Sequence, residues 1–104
     1  MSDEPEFLKI LRLAPDEVSC DDVRGALVEL RAAEQRYAAW CVSVKRGERK
    51  GDIEATLLPI LDRDDEVVLA WKAFCASRND ESTTALVDAL RAAAEERLRI
   101  ARDL

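Results

Sequence analysis

No histidine occurs anywhere in the 104 residues. The side chain that most often serves as a general base near neutral pH and as a metal ligand is therefore missing, and two-iron helical bundles that pair glutamates with histidine are excluded in their ordinary form. A serine or cysteine nucleophile would have no imidazole to activate it. Glycine and proline number three each, which leaves no glycine-rich loop to cradle a phosphate. Cysteine also numbers three, at Cys20, Cys41 and Cys75. An odd count without close spacing suggests neither a disulfide framework nor a paired-cysteine zinc site. If residues 20 to 41 are one helix, Cys20 and Cys41 stand about 31 Å apart, too far to bridge. Each cysteine is expected to act as a small hydrophobe among apolar neighbours. No run approaches the roughly 18 apolar residues that a membrane span requires, and the acidic stretch from Met1 to Ile10 lacks a signal peptide's basic start and apolar run. A cytoplasmic location is expected.

What is present points to helix. Hydrophobic residues make up 48% of the chain, and alanine, leucine, arginine and glutamate dominate, all good helix formers. A chain this long buries roughly two-thirds of its unfolded surface in one core and has no room for a second, so residues 1–104 are expected to form a single domain. The net charge of −6 weighs against wholesale binding to a phosphate backbone. It is unevenly spread, with acids gathered in residues 1 to 22 and Lys45, Arg46, Arg49 and Lys50 gathered in one short stretch.

The longest periodic segment runs from Cys20 to Val44. Reading every third and fourth residue gives Cys20, Val23, Leu27, Leu30, Glu34, Tyr37, Cys41 and Val44, apolar at every place but one. Ala26, Ala33 and Trp40 widen this face, and Asp22, Glu29, Arg36 and Ser43 lie opposite, toward water. Such a helix would be roughly 37 Å long, so other segments are expected to pack along it. Ser19 is placed to cap its start, and Gly47, tolerant of a left-handed backbone, is placed to end it.

Around this element the spacing predicts a short N-terminal helix over Asp3–Leu13 carrying Phe7, Ile10 and Leu11, closed by Pro15. After Asp52, a natural cap, comes a segment with Ile53, Leu57, Leu58, Ile60 and Leu61 that Pro59 is expected to break or kink. The acids from Asp62 to Glu66 then read as the first turn of the next helix, complementing its dipole, rather than as a calcium loop, which needs a glycine turn and a distal glutamate. Val67, Val68, Trp71, Phe74 and Cys75 follow as a buried face. A last helix is expected from about Thr84 to Arg102, with Val87, Leu90, Ala94, Leu98 and Ala101 inward and Asp88, Arg91, Glu95, Arg99 and Arg102 outward. The fold class is all-α: a small antiparallel helical bundle of about four to five helices with one long central helix.

No catalytic, metal or cofactor motif stands out, so the chain reads as non-enzymatic and free of cofactors. The expected function is protein–protein interaction, as an adaptor, chaperone or bacterial or phage inhibitor-type regulator. The alternative is a nucleic-acid-associated regulator using the basic stretch, with dimerisation possible. The candidate partner-binding residues fall in two groups. Lys45, Arg46, Arg49 and Lys50 form a basic connection suited to an acidic patch on another protein; no aromatic is interleaved, which disfavours single-stranded nucleic acid. Glu34, Tyr37 and Trp40 form the second group, on a part of the long helix expected to be exposed. Glu34 reads either as a stripe-edge acid near Arg31 or as a polar group fixing register with a partner helix. With Tyr37 it is the least implausible acid–base pair in the chain.

Overall fold

The computed structural model describes residues 5–13 and 17–102. They form four helices: α1 (Glu6–Leu11), α2 (Asp21–Lys45), α3 (Ile53–Ala76) and α4 (Asp80–Ile100). No strand occurs among the described residues, and the helices pack together as a small all-helical bundle. At 25 and 24 residues, α2 and α3 are nearly equal in length. It is α4 that lies closely against both of them, while α1 packs on α3 and, more lightly, on α2. The radius of gyration, 14.4 Å, exceeds the roughly 13 Å of a compact chain of this length, because the two longest helices stretch one axis to 46 Å.

The stripe on α2 folds inward as its period requires. Val23, Leu27, Leu30 and Tyr37 are buried, flanked by Ala26, Ala33 and Trp40, and Asp22, Glu29 and Arg36 face water. Its start differs from expectation. The residue preceding the helix is Cys20, with no side-chain cap, because the Ser19 hydroxyl instead accepts from the Arg78 guanidinium at 3.1 Å. Its end is a Schellman motif. Gly47 has φ of 75°, its N–H donates to the Val44 carbonyl at 3.1 Å, and the Glu48 N–H donates to the Ser43 carbonyl at 3.0 Å, so two orphaned carbonyls are satisfied by one left-handed residue.

Pro59 does not break its segment: α3 runs through it as one helix. Proline removes one backbone donor, and the carbonyl thereby orphaned belongs to Ala55 four residues earlier. Ala55 is exposed, so water can take that bond. Asp62 to Glu66 consequently lie in the middle of a helix rather than in its first turn. Asp52 caps α3 as expected, accepting from the Ala55 N–H at 3.3 Å. α4 begins about a turn earlier than the sequence suggests. A reciprocal capping box starts it, the Asn79 side chain accepting from the Ser82 N–H at 2.8 Å and the Ser82 hydroxyl accepting from the Asn79 N–H at 3.1 Å.

Phe7 and Ile10 dock α1 on the main core, and the Arg31 guanidinium donates to the Leu11 carbonyl at its C-terminal end. The expected stop at Pro15 lies outside the described residues. Cys75 corrects another expectation: it is exposed, because it sits about 100° round the helix from the buried Phe74. The core itself is divided. A large cluster gathers Val23, Leu27, Leu30, Val67, Phe74, Leu86 and Leu90, and a smaller one gathers Tyr37, Trp40, Ile60 and Ala101.

Candidate functional site

Between the two apolar clusters lies a charged layer. Each long helix contributes one residue at the place where its apolar stripe passes from one cluster to the other: Glu34 between Ala33 and Tyr37, Asp64 between Ile60 and Val67, Arg97 between Ala94 and Ala101. Arg97 is at the centre, its side chain 2% exposed. Its two terminal nitrogens donate to the two oxygens of Asp64, each at 2.8 Å, in the bidentate fork that guanidinium and carboxylate planes favour. Its Nε donates to Glu34, and one terminal nitrogen also donates to the Ala93 carbonyl at 3.2 Å. The Phe7 ring covers the guanidinium, 5.2 Å from ring centre to carbon, a cation–π contact that closes the layer on the α1 side.

Burial pushes the Asp64 carboxyl above its ordinary value, and the hydrogen bonds and charge of Arg97 oppose that rise. On Arg97 burial acts to lower the pKa, and the two carboxylates outweigh it, so the guanidinium is held more firmly charged than in water. The bidentate geometry makes the pair ionic near neutral pH. A buried pair of this kind costs desolvation of both partners and is kept intact by the penalty for stranding either one.

Beside this layer a groove of about 270 Å³ opens between α1 and α3. Phe7 and Leu8 form one wall, Ile60 and Leu61 the other, and Tyr37, Glu34 and Asp64 lie at its floor. The Tyr37 hydroxyl is 2.8 Å from Thr56 Oγ1. Since the Thr56 hydroxyl spends its single proton on the Ile53 carbonyl, Tyr37 is the donor. Burial raises its phenol above the ordinary value, so it stays protonated and serves as a donor rather than a base.

The basic connection forms the end of the bundle nearest the smaller cluster. Lys45, Arg46 and Lys50 are exposed and Arg49 is half-buried. The chain returns from this tip past Trp40, which stacks on Tyr37 with ring centres 6.0 Å apart. At Gly51 the return is so close that a Cβ would stand 2.5 Å from the Trp40 ring.

No family model, curated protein or solved structure matches this chain.

Of the candidate residues read from the sequence, the structure brings Glu34 and Tyr37 to one groove and places Trp40 against the foot of the basic tip. Tyr37 and Trp40, expected on an exposed stretch, are buried, since both fall on the apolar face that turns toward α3 and α4. Glu34 is partly exposed, as a stripe-edge acid should be, and its partner is Arg97 rather than the neighbouring Arg31, which is turned toward Leu11. Nor does it pair with Tyr37, whose hydroxyl points to Thr56. Asp64 and Arg97 were not singled out by sequence, although both stand on apolar stripes at helical spacing, the same signal that marked Glu34. Among the described residues no group of three or more metal-ligating side chains is placed to hold an ion, and no helix is long and apolar enough to cross a membrane.

Proposed function

We propose that this chain acts by protein–protein interaction rather than catalysis, as a small cytoplasmic adaptor, chaperone or inhibitor-type regulator, and that its basic tip orients a partner bearing an acidic patch. The observation that supports this reading is the fixed display of the tip charges. The Schellman motif sets the direction in which the chain leaves α2, and the close approach of Gly51 to Trp40 ties the returning connection to the bundle. Lys45, Arg46 and Lys50 are thus presented from an anchored turn, on a protein whose net charge is −6. Exposed charges of this kind act mainly on encounter rate and orientation and are screened by salt.

The test reverses Lys45, Arg46 and Lys50 together to glutamate and leaves the half-buried Arg49 in place. A glutamate-rich peptide is titrated into the isotopically labelled protein while amide chemical shifts are followed. Shifts confined to residues 45–51, weakened by salt and lost in the triple variant at unchanged melting temperature, are the expected result. Tight binding of duplex DNA, abolished by the same variant, would replace this reading with the nucleic-acid alternative. Absence of any tip response would leave the tip as a solvated helix end.

A further inference from the structure

The groove between α1 and α3 lies next to an apolar surface that the bundle does not use. Leu61, on its wall, is 54% exposed, and Leu58, one turn earlier on α3, is 68% exposed, with Leu57 also open to water beside it. Isolated exposed leucines need no explanation, but these three lie on adjacent turns, and Leu61 lines the groove together with Phe7 and Leu8. At about 270 Å³ the groove is below the usual range for small-molecule sites, about 300 to 1,000 Å³. Its size suits one or two anchoring side chains of a larger partner.

The charges around it decide what kind of partner. Asp62 and Asp65 are exposed and stand four residues beyond Leu58 and Leu61, so each flanks a leucine on the helix surface. Glu34 and Asp64 at the floor share the single cation Arg97, so the charged layer adds one further net negative charge. Of the cations on the elements around it, Arg97 is held by Asp64 and Glu34, Arg63 by Glu66 and Lys72 by Glu6. An anionic ligand or an anionic lipid surface would meet net repulsion here. A helix with leucine-like anchors on one face and lysine or arginine alongside them is complementary in both respects, its aliphatic stems lying over the leucines while its charged ends reach Asp62 and Asp65.

We infer that the groove and the adjoining leucines Leu57, Leu58 and Leu61 form a docking site for a basic amphipathic helix of a partner protein. This surface is separate from the basic tip and opposite to it in sign. A chain carrying both is suited to hold an acidic surface and a basic helix at once.

The probe is an 18-residue peptide of leucine and lysine at amphipathic helical spacing, titrated into the full chain and followed by amide shifts and calorimetry. Two controls accompany it: the same peptide with glutamate in place of lysine, and a scrambled peptide of the same composition that has no apolar face. Two variants are compared with wild type, Leu58→Gln with Leu61→Gln, and Asp65→Lys, each checked for unchanged helicity. The expected result is binding of the amphipathic lysine peptide alone, with shifts centred on Leu8, Leu61 and Asp65 and at least tenfold weaker affinity in each variant. Equal binding of the scrambled peptide, or affinity untouched by the double leucine change, would reduce the effect to bulk charge and overturn the proposal. So would sedimentation of the wild type as a dimer that Leu58→Gln with Leu61→Gln makes monomeric, since the occupant would then be a second copy.

Discussion

Replacing Arg97 by methionine removes the centre of the charged layer while keeping a similar unbranched apolar stem. The substitution leaves Asp64 facing a buried space with neither of its 2.8 Å partners, and Glu34 without its cation. Because the Arg97 and Asp64 side chains are only 2% and 11% exposed, water reaching the groove floor replaces only a small part of what is lost. Stranding one member of a buried pair costs about 3–5 kcal/mol, a large share of the roughly 5–15 kcal/mol that holds a domain of this size together. At about 4–8 °C per kcal/mol for a domain of up to about 100 residues, the melting temperature should fall by about 12–40 °C at pH 7. The deficit should depend on pH with a definite sign. Burial already raises the Asp64 carboxyl, and Arg97 is what opposes that rise, so its pKa climbs further in the variant. A group whose folded pKa is raised contributes stability that is present below its unfolded pKa and is lost as pH rises through the folded value. The gap between variant and wild type should therefore be narrowest below the ordinary carboxylate range and widen as pH rises toward neutrality. A companion variant, Asp64→Leu with Arg97→Met, strands neither of these two charges and should recover much of the loss. Urea denaturation from pH 4 to pH 8 reads all of this. A loss below about 1 kcal/mol at pH 7, or a gap independent of pH, would refute the reasoning.

Other substitutions probe the elements that frame the two surfaces. Gly51→Ala should cost about 1–3 kcal/mol, since its Cβ would lie 2.5 Å from the buried Trp40 ring and overpacking of this kind forces neighbours to move; a shift in tryptophan fluorescence at unchanged helicity would localise the effect. Gly25→Ala should do the reverse and stabilise by about 0.5–1 kcal/mol, because a Cβ there meets nothing within 4 Å and the helix interior loses less entropy; thermal melting decides it. Asn79→Ala removes the capping box of α4 and should cost about 1 kcal/mol, measurable by urea denaturation.

The parts of the fold that were legible in the sequence are those where period and chain chemistry agree. The α2 stripe, its stop at Gly47, the Asp52 cap and the outward row of α4 from Asp88 to Arg102 all follow from residue spacing alone. Pro59 leaves α3 unbroken because the cost of proline depends on whether the orphaned carbonyl can reach water, and the exposure of Ala55 is a tertiary fact. Cys75 misled because one residue of rotation carries a side chain out of the core. The charged layer was legible in principle. Glu34, Asp64 and Arg97 each interrupt an apolar stripe, and three interruptions whose charges can pair across three helices are more informative than any one of them. Only Glu34 stands out alone on its stripe, since Asp64 lies in an acidic run and Arg97 in a helix rich in arginine. The groove was not legible, because it depends on where α1 sits against α3, and α1 is only six residues long.

The account rests most heavily on the separation of two oppositely charged docking surfaces, a basic tip at residues 45–50 and an acid-flanked apolar groove at Leu58 and Leu61. One titration addresses it: amide chemical shifts of the labelled protein, recorded with the glutamate-rich peptide alone, with the leucine–lysine peptide alone, and with each in protein saturated by the other at a salt level that keeps the peptides apart. The account predicts two groups of shifted amides that do not overlap, one around Arg46 and Lys50 and one around Leu61 and Asp65, with neither peptide displacing the other. Displacement of one peptide by the other from a common set of amides, or no response at either surface, would contradict it.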